Sequence, residues 1–313
     1  MCLRVSSGRR VRGDPRAMAK ATGEPGDNLV NRLGRSLSPY AQATGVYPRI
    51  SVVIPARNEA PNLPFVLARM PADLFEVILV DGHSNDNTVA VARSCRPDIR
   101  VVHQGGMGKG NALACGFAAA RGDVIVTLDA DGSARPEEIS RFVEPLRNGA
   151  DFAKGSRFLP GGGSADITAL RRGGNFALVR LVNMLFRTRY TDLCYGFNAF
   201  WSYCLPKLEV NCDGFEVESL LNIRAARARL KVAEVPSFEP GRLHGLSNLK
   251  AWSDGLRVLR TVLSEYISPR SYQAVQWSEL GREPTAEVTA DGATATNNGE
   301  VSSAGGGRRG LLT

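Results

Sequence analysis

Short apolar runs alternate with helical stretches through the first half of the chain. Ile50-Ser51-Val52-Val53-Ile54-Pro55 reads as a buried strand stopped by proline, and residues 62–69 follow with helical spacing. Glu76-Val77-Ile78-Leu79-Val80-Asp81 is a second strand, residues 88–95 a helix, and Ile99-Arg100-Val101-Val102 a third strand. An alanine-rich helix over 109–121 leads into a fourth strand, Val124-Ile125-Val126-Thr127-Leu128. Continuously apolar strands separated by helices predict an α/β fold with a mostly parallel sheet covered on both faces. In such sheets ligands sit beyond the carboxyl ends of the strands. Three polar segments fall there: Ala56-Arg57-Asn58-Glu59, Asp81-Gly82-His83-Ser84-Asn85-Asp86 and Asp129-Ala130-Asp131.

The second half is less regular. Residues 151–157 predict a strand running into a basic loop, and 193–201 an aromatic, glycine-containing stretch. Residues 176–186 predict a mostly apolar helix with Arg180, Asn183 and Arg187 on a narrow polar face. Residues 215–228 predict a helix with Glu216 and Glu218 in its first turn, and 232–236 a strand. Leu249, Trp252, Leu256, Leu259, Leu263 and Tyr266 recur at helical spacing. That stripe is expected to pack on the sheet. For 176–187, packing on the sheet and lying in a membrane surface with Arg171 and Arg172 at the headgroups both stand open.

Composition sets the boundaries. Residues 1–46 are rich in Arg, Gly, Ser and Pro without a period, and 281–313 are small and polar. Both read as disordered tails, leaving one domain over 47–270. The net charge is +8, but eight Arg or Lys against three Asp or Glu lie in the first 46 residues. The rest is only mildly basic, which excludes an extended nucleic-acid face. Six cysteines without a C-x-x-C pair and three scattered histidines predict reduced thiols and no zinc site. No apolar run reaches the ~18–20 residues of a membrane span, and the amino end lacks a signal-peptide pattern. The expectation is a cytoplasmic protein able to touch the inner face of the cytoplasmic membrane.

In a strand, residues i and i+2 point the same way. The carboxylates of Asp129 and Asp131 therefore converge at a strand end, as Mg²⁺ or Mn²⁺ with substrate phosphates would require. The alternative is an ordinary turn. Asp81 and Asp86 suit a nucleobase or ribose, or else a helix cap. Gly105-Gly106-Met107-Gly108-Lys109-Gly110 resembles a phosphate cradle but lacks the trailing Ser/Thr of a P-loop. Gly155-Ser156-Arg157 and the segment from Arg242 to Lys250 offer cations for a diphosphate leaving group, or are solvated loops.

Taken in order, Pro55-Ala56-Arg57-Asn58-Glu59, Val80 to Thr88, Gly108-Lys109-Gly110-Asn111-Ala112, Asp129-Ala130-Asp131-Gly132 and Gly155-Ser156-Arg157 resemble family-2 glycosyltransferases. The resemblance is strongest to the dolichol- or polyprenyl-phosphate mannosyltransferase and glucosyltransferase branch, and Thr191 to Phe197 and Arg242 to Ser247 match that branch in position. It covers about residues 48–250. It implies a GT-A fold, a nucleotide-sugar donor of the GDP-mannose or UDP-glucose type, Mg²⁺ or Mn²⁺, and an inverting displacement onto a polyprenyl or dolichyl phosphate. It further implies that Pro55, Ala56, Arg57 and Glu59 line the nucleoside pocket and Asp81 contacts the base. Lys109 and Gly110 would lie near base and ribose, Asp129 near the ribose or the metal shell, and Asp131 on the metal. Ser133 stands where related synthases often carry Gln. Ser156, Arg157 and Arg242 would face the donor or acceptor phosphates. A lipid phosphate, with a second pKa of about 6, needs no strong base. A sugar hydroxyl in cell-surface polysaccharide synthesis needs one, and Asp192 is then the candidate, with Glu216 and Glu218 as alternatives. A nucleotide-binding module or sugar nucleotidyltransferase is a third reading. It is disfavoured because no glycine-rich loop follows the first strand.

Overall fold

The computed structural model describes residues 47–245 and 251–268. The tails expected to be disordered, 1–46 and 281–313, lie outside the described residues, as does Leu249.

The four predicted strands are β1 (Ile50–Ala56), β2 (Glu76–Asp81), β3 (Arg100–His103) and β4 (Val124–Thr127). They are linked by helices α1 (Leu63–Ala68), α2 (Thr88–Cys95) and α3 (Gly108–Ala119). All their pairings are parallel: β1 lies between β2 and β4, and β3 borders β2. Every residue of β2 and β4 is buried, which is why these strands read as unbroken apolar runs.

Next come α4 (Ile139–Arg147), β5 (Phe152–Ser156), the two-residue β6 (Gly163–Ser164) and α5 (Ala169–Phe186). After α5 the chain forms β7 (Asn198–Trp201), α6 (Leu205–Leu208), α7 (Val217–Arg227), β8 (Val232–Pro236), β9 (Phe238–Glu239) and α8 (Ala251–Ile267). The main sheet has seven strands in the order β3-β2-β1-β4-β7-β5-β8, and β6 pairs with β9 in a separate small sheet. β7 is antiparallel to both β4 and β5, so a mostly parallel sheet carries one reversed strand in its interior. Because β7 runs downward, the residues before it sit at the carboxyl edge beside the end of β4. Thr127 is opposite Asn198, and the Thr127 hydroxyl donates to the Gly196 carbonyl at 2.7 Å.

Aromatic side chains from β5 and β7 fill the core. Phe152 stacks on Phe200 at 5.4 Å, and Phe142 of α4 stacks on Phe197 at 4.0 Å. Each such ring contributes on the order of 1.5–3 kcal/mol through burial.

Two helices depart from expectation. α5 starts at Ala169, earlier than the apolar pattern suggests, because the Thr168 hydroxyl caps the Arg171 amide at 3.3 Å ahead of a Gly173-Gly174 pair. The stripe on α8 expected to pack inward faces largely outward. Trp252 is 82% exposed and Tyr266 54%, while Val258 and Val262 are buried. α8 is held by Val258 and Val262, which pack with Val179 and Val182 of α5 and Ile223 of α7, and by Glu265, which pairs with the buried Arg224 (2.8 Å) and with Arg227 (2.6 Å) of α7. Among the described cysteines all five are free thiols.

Candidate active site

The carboxyl edge of the sheet opens into a cavity of about 740 Å³. Pro55, Ala56, Arg57 and Glu59 line it from the end of β1, Lys109 from α3, and Asp129 and Asp131 from the end of β4. Arg157, after β5, and Arg242 complete its polar part. The loops after β1 and β2 are stitched together. The Asn58 amide donates to the Ser84 hydroxyl (3.0 Å) and the Asn85 amide to the Asn58 side-chain oxygen (2.8 Å). Asn58 adopts a left-handed backbone, which Asn tolerates better than most residues.

Lys109 reaches the centre through its glycines. Gly108 has φ +85°, and a Cβ on Gly108 or Gly110 would strike the backbone carbonyl of Asp213 or Cys212. The glycines therefore let the start of α3 press against the 212–213 segment. Their sequence signal as a phosphate cradle has this packing basis.

Two carboxylate–cation–carboxylate bridges dominate the electrostatics. Lys109 Nζ lies 2.6 Å from Asp129 and 2.6 Å from Glu218. Burial lowers the Lys109 pKa, but the two carboxylates outweigh it and keep the ammonium firmly charged. Burial pushes the Glu218 carboxyl upward against the pull of Lys109. In the second bridge, Arg242 pairs with Glu59 and, at 3.2 Å, with Asp131. Burial likewise raises Glu59. The Ser133 hydroxyl and amide donate to Asp131 Oδ1 at 2.6 and 3.0 Å, so its Oδ2 is left to Arg242. Ser133 thus orients the carboxylate.

Four expected site residues stand off the cavity. Asp192 is fully buried, with its carboxylate taken by Arg157 at 2.7 Å (Nε to Oδ2) and 3.0 Å (Nη2 to Oδ1). Burial pushes Asp192 up, yet the Arg157 hydrogen bonds and charge hold it below the usual carboxylate range. Both carboxylate oxygens of Asp192 are thus spent on Arg157, which they anchor. Ser156 is buried against the Thr191 hydroxyl at 2.6 Å. Asp81 accepts from the Ser84 amide (3.3 Å) and lies 3.4 Å from His103, while its neighbour Gly82 lines the cavity. Gly110 serves packing, as above.

Three lining residues carried little sequence signal. Gly196 packs so closely that a Cβ there would lie 2.9 Å from Asp129 and 3.0 Å from Lys109. Gln104 is 4% exposed with its Oε1 unpartnered. Glu239 bonds Arg157 at 3.1 Å from β9. Only the reversal of β7 would have flagged Gly196.

The cavity continues from the carboxylates into a groove between α5 and α8, lined by Leu170, Leu178, Trp252, Leu256 and Leu259. Among the described residues no group of three or more His, Cys, Asp or Glu surrounds a common point. Asp129 and Asp131 supply two hard oxygen donors, the number Mg²⁺ takes when phosphates complete its shell. Both already hold cationic side chains, so the residues fit a divalent ion accompanied by a diphosphate.

Residues 51–203 match the model of glycosyl transferase family 2. The chain is 31% identical over 217 residues to dolichol-phosphate mannosyltransferase of Pyrococcus furiosus, covering 64% of this chain and 59% of that one. It is 32% identical over 202 residues to undecaprenyl-phosphate mannosyltransferase of Micrococcus luteus, covering 60% and 82%. It spans about a third (34%) of the length of a further relative, glycosyltransferase AglD of Haloferax volcanii. A solved structure of glucosyl-3-phosphoglycerate synthase from Mycobacterium tuberculosis, in complex with Mn²⁺, UDP and glucosyl-3-phosphoglycerate, superposes with a TM-score of 0.56. It has 26% identity, over 74% of this chain and 84% of that one. The sheet order, the edge carrying the Asp129–Asp131 pair and these matches agree: the chain belongs to glycosyl transferase family 2 and has the GT-A architecture.

Proposed function

We propose that residues 47–270 form the catalytic domain and transfer a hexose from a nucleoside-diphosphate sugar, of the GDP-mannose or UDP-glucose type, to a polyprenyl phosphate. The observation that carries this reading is the continuity of one cavity from the Asp129–Asp131 edge into the apolar groove between α5 and α8. A charged donor suits the first end and an isoprenoid chain the second. The relatives named as acting on dolichol and undecaprenyl phosphates support it.

Loss of the nucleoside diphosphate builds negative charge on its phosphates, and groups aimed at that charge lower the barrier. A divalent ion bound by Asp131, with Asp129 nearby, would supply Lewis-acid stabilisation there. The Mn²⁺ and UDP in the solved neighbour favour this assignment. Arg242 stands at the same point. Arg57 and Glu59 line the nucleoside end, and Arg157, held by Asp192 and Glu239, faces the acceptor phosphate. The carboxylates at the charged end of the cavity are engaged, Asp129 and Glu218 by Lys109 and Glu239 by Arg157, while Asp166 and Asp254 line the groove end at 3.8 Å from Arg171 and Arg257. An acceptor that needs no base fits these ties, and a phosphate is such an acceptor.

No helix among the described residues is long and apolar enough to cross a membrane. The exposed Leu170, Phe176 and Met184 of α5 and Trp252, Leu256 and Ile267 of α8, with Arg172, Arg180, Arg257 and Arg260 on the same helices, suit peripheral contact with an anionic bilayer on its cytoplasmic face. The test is transfer from labelled GDP-mannose and UDP-glucose with Mg²⁺ or Mn²⁺, with and without polyprenyl phosphate. Label should enter the lipid phosphate, and Asp131→Asn should lower that transfer by at least about 100-fold with the melting temperature kept. Transfer confined to a non-phosphorylated glycan would overturn the acceptor assignment.

A further inference from the structure

Arg242 belongs to a short strap, residues 240–245, that lies across the end of β4. The Leu243 amide donates to the Asp131 carbonyl at 3.2 Å, and the Leu243 side chain covers Gly132, which has φ +80° and where a Cβ would lie 2.6 Å from that side chain. The Asn62 side-chain amide donates to the His244 carbonyl at 3.2 Å and to Glu59 at 2.5 Å. Arg242 Nε donates to the His244 carbonyl at 2.9 Å, fixing its fork toward Glu59 and Asp131. The strap is thus registered by contacts on both sides of the cleft, and the guanidinium fills the position next to Asp131 Oδ2. On the other carboxylate, Lys109 is anchored by Glu218.

We infer that Glu59 is a positioning residue that seats Arg242 on Asp131, so that the aspartate pair admits a divalent cation only together with a nucleoside diphosphate. This rests on the metal assignment to Asp131 made above. A lone divalent ion must displace a guanidinium already paired with two carboxylates, and would leave Arg242 stranded beside a second cation. A diphosphate removes that conflict, because planar guanidinium pairs with phosphate oxygens as well as with carboxylate. Arg242 would then pair with the diphosphate and leave the Asp131 carboxylate to hold the ion, which would supply charge stabilisation there. Two cations thereby exchange one carboxylate, and the donor site is assembled only when donor and ion are both present.

The readout is Mn²⁺ binding to the full chain, measured by electron paramagnetic resonance of free Mn²⁺, without donor sugar and without turnover. The wild-type protein should bind Mn²⁺ weakly alone and more tightly with GDP or UDP, by a factor within the about 5- to 150-fold range usual for coupled ligands. Arg242→Met should tighten nucleotide-free Mn²⁺ binding by about fivefold or more and shrink the nucleotide effect. Arg242→Lys, which keeps the charge but not the fork, and Glu59→Gln, which removes one anchor, should fall between. Equal Mn²⁺ affinity with and without nucleotide in the wild type, or no tightening in Arg242→Met, overturns the inference. Absence of Mn²⁺ binding in every variant, even with nucleotide, would instead remove the metal assignment to Asp131 on which it stands.

Discussion

Gly196 and Asp192 show opposite ways in which a single position serves the site. Gly196 leaves space, and Gly196→Ala would push a methyl against the Asp129 carboxylate and the Lys109 ammonium. Transfer should fall by about 10- to 100-fold, the scale of an ångström-level displacement of reacting groups. The unfolding free energy should change by about 1 kcal/mol or less. Steady-state kinetics beside a denaturant titration separates the two. Asp192 fills space with charge. Asp192→Asn leaves the Arg157 guanidinium buried with a weakened partner and should destabilise the fold by about 3–5 kcal/mol. Because the folded carboxyl is held below its unfolded value of about 3.9, its stabilising contribution is complete above that value. It disappears as the pH falls through the depressed folded value. Urea midpoints of wild type and Asp192→Asn should therefore differ most at neutral pH and converge in acid. The Asp129–Asp131 pair and Arg57 were legible from strand ends alone. The burial of Asp192 against Arg157 was not legible, because a fully buried ion pair and an acceptor-side carboxylate leave the same trace in a sequence.

At the level of elements, the strands of the first half were readable because each is apolar on both faces. β7 was hidden in a stretch whose glycine and aromatics carry no period. α8 was recognised as a helix, but its orientation was not. A stripe of Trp252, Leu256, Leu263 and Tyr266 has the same spacing whether it meets a sheet or solvent, and the burial of Val258 and Val262 together with the Glu265 pairing to Arg224 and Arg227 decides which way it turns. Glu265→Ala should loosen α8 from α7, because the buried Arg224 is left short of a counter-charge. A cost of about 3–5 kcal/mol is expected, visible as a lower melting temperature. Trp252→Ser should leave the melting temperature almost unchanged, since that ring is 82% exposed. It should weaken sedimentation with anionic phosphatidylglycerol vesicles by about tenfold, the effect of about 1.4 kcal/mol of lost apolar burial. Equal sedimentation of both proteins would remove α8 from the proposed membrane contact.

Across the whole molecule, the sheet divides into two sets of parallel strands, β3-β2-β1-β4 and β5-β8, with β7 as the seam between them. β4 and β5 are both made long before β7, and neither pairs with the other. Until Asn198–Trp201 arrive, each presents an open edge of unpaired amides and carbonyls beside a strongly apolar surface. β7 thus joins the two sets through a late, long-range closure, which slows folding relative to a sheet built from neighbours. A chain ending just before Asn198 should aggregate more than one that continues through β8, in which β4 and both sides of β5 are paired. During synthesis the Asp129 carboxylate waits for the same event, since Gly196 and β7 arrive together. The strand that joins the two halves of the sheet is therefore also the one that closes the wall behind the Asp129 carboxylate, and an unfinished sheet has no finished site.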